Sequence, residues 1–128
     1  SIMKKLLILL FSLLISFNSY GEWTSITEST SGDLFFIDLA TIKPHGEYIY
    51  YWTLTSYSKP SPSGYMSVKK YAKVDCGVNR FTHLTYIWYK QSMGNGNGIN
   101  DDGADPWKYP DPESVAGYKL NFICNYVQ

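Results

Sequence analysis

Few residues in this sequence have the types and spacing that catalysis requires. The two histidines stand in a Pro-His-Gly turn, at His45, and in a strand-like pattern, at His83, and no serine lies in a Gly-x-Ser-x-Gly motif. Three acids occur together in one stretch, at Asp101, Asp102 and Asp105. Two of them could act as a general acid and base, but acids in loops usually form turns. We therefore expect both histidines to be structural or solvent-exposed, and we expect the protein not to be an enzyme. A polar pocket that contains His83 and an acid would be needed to support catalysis.

The residues that could bind a metal ion do not form a complete set. Residues 95–105 resemble oxygen-rich calcium loops, but no register gives the EF-hand order of acids or amides, glycine and a final glutamate. Two thiols, at Cys76 and Cys124, would need two further ligands for zinc, and only His45 and His83 could supply imidazole. We predict neither a metal site nor a cofactor.

The beginning of the chain has the features of a cleaved secretory signal. A Lys-Lys pair follows Met3, residues 6–17 are apolar, and the Ser-Tyr-Gly sequence at 19–21 supplies the small residues that a signal peptidase requires. The apolar run of about a dozen residues is shorter than the roughly 20 needed to span a bilayer, which argues against a membrane anchor. We predict a signal peptide at residues 1–21, including a two-residue prefix before Met3, and a single domain at residues 22–128.

The charge balance excludes one class of function. Removal of the two lysines of the signal leaves 9 basic against 11 acidic side chains, a formal charge of −2. Proteins that bind nucleic acid usually carry a basic net charge or a basic patch. We therefore expect no nucleic-acid partner, and no membrane span once the signal has been cleaved.

An exported protein enters an oxidising compartment, in which cysteine thiols usually form disulfides. Cys76 and Cys124 are the only cysteines and both lie after the signal, so we expect them to form one disulfide. Closing a loop of about 49 residues is worth about 4 kcal/mol in the chain-entropy model. That is a large share of the stability of a small domain.

The longest block of aromatic and β-branched residues predicts a central strand at residues 47–58. It contains no glycine or proline, and both of its faces carry large apolar side chains, so both need a cover. Shorter strands are predicted before it at residues 23–26 and 33–38. Two long strands are predicted after it at residues 65–76 and 80–90, and short turns join these neighbours into an antiparallel meander.

The strand predicted at residues 65–76 carries a small basic and aromatic patch. Lys69, Tyr71 and Lys73 alternate along its outward side. The opposite side ends in a half-cystine and is predicted to pack, with Lys70 reaching outward along its stem. The patch is either a solvated strand face or a contact surface for an acidic or extracellular protein. The 12 tyrosines and 4 tryptophans favour an interface, although a core could use the same residues.

A loop and a helix are predicted after the last strand. Residues 91–112 are rich in Gly, Asn, Asp and Pro and lack periodicity, which is typical of a long surface loop. A helix is then predicted with Asp111 as its N-cap and Pro112 at its first position. Its apolar residues share one arc: Val115, Ala116, Leu120, Ile123 and Val127. The sequence therefore predicts an α+β fold, a small antiparallel sheet of five to six strands packed on a C-terminal α-helix and held by one disulfide.

Several short motifs occur in an order that resembles a known family. The motifs are Trp23-Thr24, Leu34-Phe35-Phe36-Ile37-Asp38, Tyr51-Trp52-Thr53-Leu54-Thr55-Ser56-Tyr57, Val74-Asp75-Cys76, Tyr86-Ile87-Trp88-Tyr89, Asp105-Pro106-Trp107, and Pro112-Glu113-Ser114-Val115 leading to Cys124. Over nearly the whole mature chain, this order resembles the surface-adhesin protein E-like family of exported bacterial proteins.

The resemblance implies a function as well as a fold. It implies a homodimer, because dimerisation is known for the adhesin that names the family, and binding of host extracellular-matrix or serum proteins such as vitronectin, laminin and plasminogen. That adhesin is lipoprotein-like, whereas no cysteine stands at the cleavage site predicted here. Periplasm and cell surface therefore both remain open as locations.

Two functions follow as hypotheses. The first is an exported bacterial binding protein, an adhesin, with its contact patch at Lys69, Tyr71 and Lys73. The alternative is a soluble periplasmic accessory or structural protein that self-associates and has no host ligand.

Overall fold

The computed structural model of this chain describes residues 23–127. The signal peptide predicted at residues 1–21 lies outside the described residues and stays a prediction. Among the residues that are described, no helix has the length and apolar character needed to cross a membrane.

Seven strands form one antiparallel sheet, and a single α-helix, α1, spans Val115–Tyr126 in the described part of the chain. The strands are β1 Trp23–Glu28, β2 Leu34–Asp38, β3 Lys43–His45, β4 Tyr48–Ser56, β5 Ser67–Asp75, β6 Arg80–Tyr89 and β7 Ile99–Asp102. The order across the sheet is β1-β2-β4-β5-β6-β7, and β3 pairs with β4 beyond the end of β2. The predicted α+β fold is confirmed, with β3 and β7 as additional short strands.

Strand β4 is central, as its composition predicted. β2 and β3 share one of its edges, and β5 pairs along the whole of the other edge. Even its polar side chains are buried and satisfied, since the fully buried Thr53 donates its hydroxyl to the carbonyl oxygen of Phe36 at 2.9 Å. β-Branched and aromatic residues suit such a strand because they pack against neighbours on both sides.

The hydrophobic core lies between α1 and one face of the sheet. Side chains from β2, β4, β5 and α1 form it: Ile37, Ile49, Tyr51, Ala72, Val74, Leu120 and Ile123. The side of β5 that was predicted to pack does face this core. Leu120 and Ile123 are the members of the predicted helical arc that are buried most deeply.

Helix α1 begins three residues later than predicted. Its N-cap is Ser114, whose hydroxyl accepts the backbone N–H of Gly117 at 3.0 Å. The prediction of Asp111 as N-cap and Pro112 as first helical residue is therefore wrong, because these residues form a turn before the helix. A Cβ on Gly117 would overlap the carbonyl oxygen of Asp111, so the close approach of this turn requires glycine.

The prediction of an irregular loop at residues 91–112 is wrong in part. The segment contains a 3-10 turn at Ser92–Gly94 and strand β7, which pairs with the second half of β6. Lys108 then exchanges two backbone hydrogen bonds with Phe81, of 2.8 and 3.0 Å, at the first half of β6. The segment thus lies along most of the β6 edge.

The predicted disulfide is confirmed. Cys76 and Cys124 are bonded, their Cα atoms are 5.8 Å apart, and 48 positions of sequence separate them. The bond joins the end of β5 to the last turns of α1, and both cysteines pack against the core. It therefore fixes the helix on the sheet.

We expect the double substitution of Cys76→Ala and Cys124→Ala to lower the free energy of unfolding by about 3–4 kcal/mol, because it releases a long loop in the unfolded chain. Urea unfolding, followed by tryptophan fluorescence, measures this difference. Reductant should destabilise the parent protein by a similar amount and leave the double variant unchanged. Equal stability of the two proteins in the absence of reductant would contradict the expectation.

Candidate functional site

We call the side of the sheet that points away from α1 the open face. Trp52 of β4 lies opposite Tyr71 of β5, so both side chains share this face. The neighbouring pair on the same face is Tyr50 with Lys73. The three residues predicted as a contact patch, which are Lys69, Tyr71 and Lys73, all lie here and are half-buried.

Tyr71 is the centre of an aromatic cluster on the open face. Its ring lies 5.1 Å from the ring of Trp52 and 6.0 Å from that of Tyr50, measured between centroids. Aromatic pairs at such distances contribute about 0.5–1.5 kcal/mol beyond the burial of their area. The cluster therefore presents a rigid apolar surface rather than a set of independent side chains.

The two patch lysines lie over aromatic rings. The Nζ atom of Lys73 is 4.2 Å from the ring centroid of Tyr48 and 5.4 Å from that of Trp107. The Nζ atom of Lys69 is 5.1 Å from the ring of Tyr89 and 5.8 Å from that of Trp23. Cation–π contacts of this kind hold the ammonium groups in place.

Arg80 extends the basic character of the open face. Its guanidinium lies 4.2 Å from the ring of Trp107, and its Nε donates to the Asp75 carboxylate at 3.0 Å. Lys70 does not extend the patch, because the alternation of β5 directs it to the side of α1, where it is half-buried.

Two parts of the segment 91–112 frame the open face. The turn at Ser92–Gly94 covers one end, where Gly94 donates its backbone N–H to the Ser67 hydroxyl at 2.8 Å and Leu54 is fully buried. Trp107 lies at the other end. Sequence reasoning missed Trp107 as a member of this surface, because its position depends on the pairing of its segment with β6.

Two shallow hollows lie on the open face. One, of about 270 Å³, is lined by Trp23, Trp52 and Lys69 among others. The second, of about 320 Å³, is lined by Pro44 and Tyr71 among others. Hollows beside rigid aromatic side chains are suited to receive side chains of a protein partner.

The sequence profile described as Surface-adhesin protein E matches residues 23–125. The chain belongs to the surface-adhesin protein E family. Crystal form II of Haemophilus influenzae protein E is 16% identical, with a TM-score of 0.64 over 84% of this chain and 91% of that chain. Protein E from non-typeable Haemophilus influenzae is 14% identical, with a TM-score of 0.59 over 83% of this chain and 78% of that chain. At these identities the likeness shows the fold. No curated protein sequence matches the chain significantly.

This member of the surface-adhesin protein E family brings a histidine and an acid together, away from the open face. His83 is buried on the α1 side of β6, and its Nδ1 lies 3.2 Å from the Tyr86 hydroxyl and 3.9 Å from the Asp105 carboxylate. The Tyr86 hydroxyl donates to Asp105. His45 is exposed in β3, and Asp101 lies in the exposed strand β7.

The protonation states of this cluster do not suit acid–base catalysis near neutral pH. Burial and the ammonium groups of Lys70, Lys119 and Lys108 lower the pKa of His83 to about 2, so its imidazole is neutral and forms no ion pair with Asp105. Burial and the hydrogen bond to Asp105 raise the pKa of Tyr86. A general base works best when its pKa lies near the working pH, which neither group provides.

We expect His83 to make the surface-adhesin domain less stable below pH 6.5. The unfolded chain binds a proton at His83 through pH 6.5, whereas the folded chain does so only at about pH 2. The free energy of unfolding should therefore fall by up to about 1.4 kcal/mol per pH unit on acidification in this range. Urea unfolding between pH 7 and about pH 5, where most carboxylates stay ionised, measures the slope.

His83→Gln should flatten the slope, because glutamine does not titrate. His45→Gln is the matched control and should keep it, because His45 is exposed. If the His83→Gln variant lost stability with falling pH as steeply as the parent protein, burial of a neutral His83 would not be the cause.

Proposed function

We propose that this protein is an exported, non-enzymatic bacterial binding protein, an adhesin, that holds a host extracellular-matrix or serum protein on its open face. Membership of the surface-adhesin protein E family supports the general role. The open face supports the location of the contact. In this proposal the mature protein acts at the bacterial surface.

The observation that carries the proposal is the combination of stacked aromatic rings with lysines held over rings. Lys69 and Lys73 each lie over two or more rings, and Tyr71 stacks on its neighbours between them. Rigid aromatic side chains lose little conformational entropy on binding and are common at interface hot spots. The lysines are also ordered before a partner arrives, which lowers the entropic cost of binding.

The charge of the open face indicates the chemistry of the partner. Lys69 and Lys73 give it a basic character beyond the ion pair of Arg80 with Asp75, although the mature chain as a whole carries a formal charge of −2. An acidic segment with apolar side chains would pair with the ammonium groups and fill the two hollows. A second copy of the same face would bring two basic surfaces together in a two-fold dimer, which is unfavourable.

We expect Tyr71→Ala and Lys73→Ala each to weaken binding of the acidic partner by about tenfold, which corresponds to about 1.4 kcal/mol for the loss of a hot-spot contact. Lys69→Ala should act in the same direction. Biolayer interferometry of the mature chain on immobilised vitronectin, laminin and plasminogen measures these affinities. Raised salt should weaken binding by the parent protein, because the contact is between opposite charges.

Tyr118→Ala and Lys59→Ala are the matched controls, since both residues are exposed and lie outside the open face. Their variants should bind as the parent protein does. Circular dichroism confirms folding of every variant. The proposal would be wrong if a folded variant with all three open-face substitutions bound these proteins as tightly as the parent.

The alternative, a periplasmic protein that self-associates, gives a different set of results. The mature chain would form a concentration-dependent oligomer in size-exclusion chromatography with light scattering, and Tyr71→Ala would dissociate it. Protease added to whole cells would leave the protein intact, whereas an adhesin displayed at the surface would be cut.

A further inference from the structure

A cavity of about 390 Å³ lies between α1 and the sheet, on the side opposite the open face. Its apolar walls include Phe35, Tyr51 and Leu120. This volume is at the lower end of the range of small-molecule sites, which is about 300–1,000 Å³. The cavity is therefore large enough for a small organic molecule.

Two lysines face this cavity. Lys119 of α1 is only 8% exposed, and Lys70 of β5 is half-buried. Among the described residues, neither ammonium group takes part in a hydrogen bond or an ion pair; each lies 5.7 Å from a ring, Lys119 from Phe35 and Lys70 from Tyr86. Lysine is almost never buried without a partner, so the position of Lys119 requires an explanation.

The remaining charged groups do not neutralise the two lysines. Lys108 adds a third ammonium group at the rim of the cavity and lies 3.7 Å from the Asp105 carboxylate. Asp105 already accepts the Tyr86 hydroxyl, and His83 is neutral. Asp101 lies opposite Tyr86 in the exposed strand β7. The cavity thus has more positive than negative charge.

The lysines also repel one another. Burial and the charge of Lys70 lower the pKa of Lys119 to about 7, and burial and the charge of Lys108 lower the pKa of Lys70, with Asp105 acting in the opposite direction. Keeping these positive charges close together lowers the free energy of unfolding. Ligand-binding sites often destabilise a fold in this way. A bound anion would relieve this repulsion.

We propose that this cavity binds a small organic anion, whose acidic group pairs with Lys70 and Lys119 and whose apolar part packs against Phe35, Tyr51 and Leu120. The site is separate from the open face, on the other side of the sheet. It therefore stands independently of the adhesin role.

Titration of the mature chain with benzoate, hexanoate and phenyl phosphate, followed by NMR and calorimetry, tests the proposal. We expect at least one of these anions to bind at millimolar or lower concentration and to shift the signals of residues that line the cavity. Benzyl alcohol, which has a similar shape to benzoate and no charge, should bind at least tenfold more weakly. Inorganic phosphate should also bind more weakly, because it lacks the apolar part.

Lys119→Met and Lys70→Met keep the length of the side chain and remove its charge. Each should weaken anion binding at least tenfold, and Lys59→Met, at an exposed position, should leave it unchanged. Without ligand, Lys119→Met should raise the melting temperature by several degrees, because it removes an unpaired buried charge. Lys70→Met should raise it by less, because Lys70 is half-buried.

Any of three results would overturn the proposal. The first is the absence of binding by all three organic anions. The second is binding of benzyl alcohol as tight as that of benzoate. The third is a lower melting temperature in both the Lys119→Met and the Lys70→Met variants, because the lysines would then serve the stability of the fold instead of a ligand.

Discussion

The structure depends on holding a short helix against a sheet whose central strand is apolar on both sides. Helix α1 has twelve residues, a length at which an isolated helix is marginal in water. It places Leu120 and Ile123 in the core, but it also buries Lys119, which opposes folding. The disulfide between Cys76 and Cys124 offsets part of this cost, because it fixes the end of α1 next to the end of β5.

Strand β5 distributes its lysines between two environments. Lys69 and Lys70 are adjacent in sequence and point to opposite faces of the sheet. Lys69 lies over aromatic rings on the open face, whereas Lys70 faces the cavity beneath α1. The strand period of two residues thus places one lysine on the surface that we propose for a protein partner and the next at the site that we propose for a small anion.

Local patterns in the sequence predicted the parts of the fold that depend on local physics. The aromatic and β-branched composition predicted β4, and the two-residue alternation predicted β5 and its two faces. The presence of only two cysteines in an exported chain predicted the disulfide. The start of α1 was placed too early, because Asp111 and Ser114 both carry capping side chains and only the packing of the preceding turn decides between them.

The features that sequence reasoning missed depend on contacts between distant segments. Trp107 reaches the open face because its neighbour Lys108 pairs with β6, and no periodic signal marks that pairing. Lys119 was not singled out from the sequence, because lysines usually lie at the surface, and its burial depends on how α1 packs on the sheet. β7 was missed because all four of its residues are exposed, so they show no apolar alternation.

The exposed composition of β7 has a consequence for the solubility of the sheet. β7 is an edge strand, and unpaired backbone groups at an edge can recruit strands from other molecules. It is four residues long and carries Asp101 and Asp102, while β1 at the opposite edge is interrupted by a bulge between Ser25 and Thr27. Short length, negative charge and a bulge all disfavour such recruitment. Asp101 and Asp102, which contributed to the prediction of a loop, therefore lower the tendency of this edge to form fibril-like aggregates.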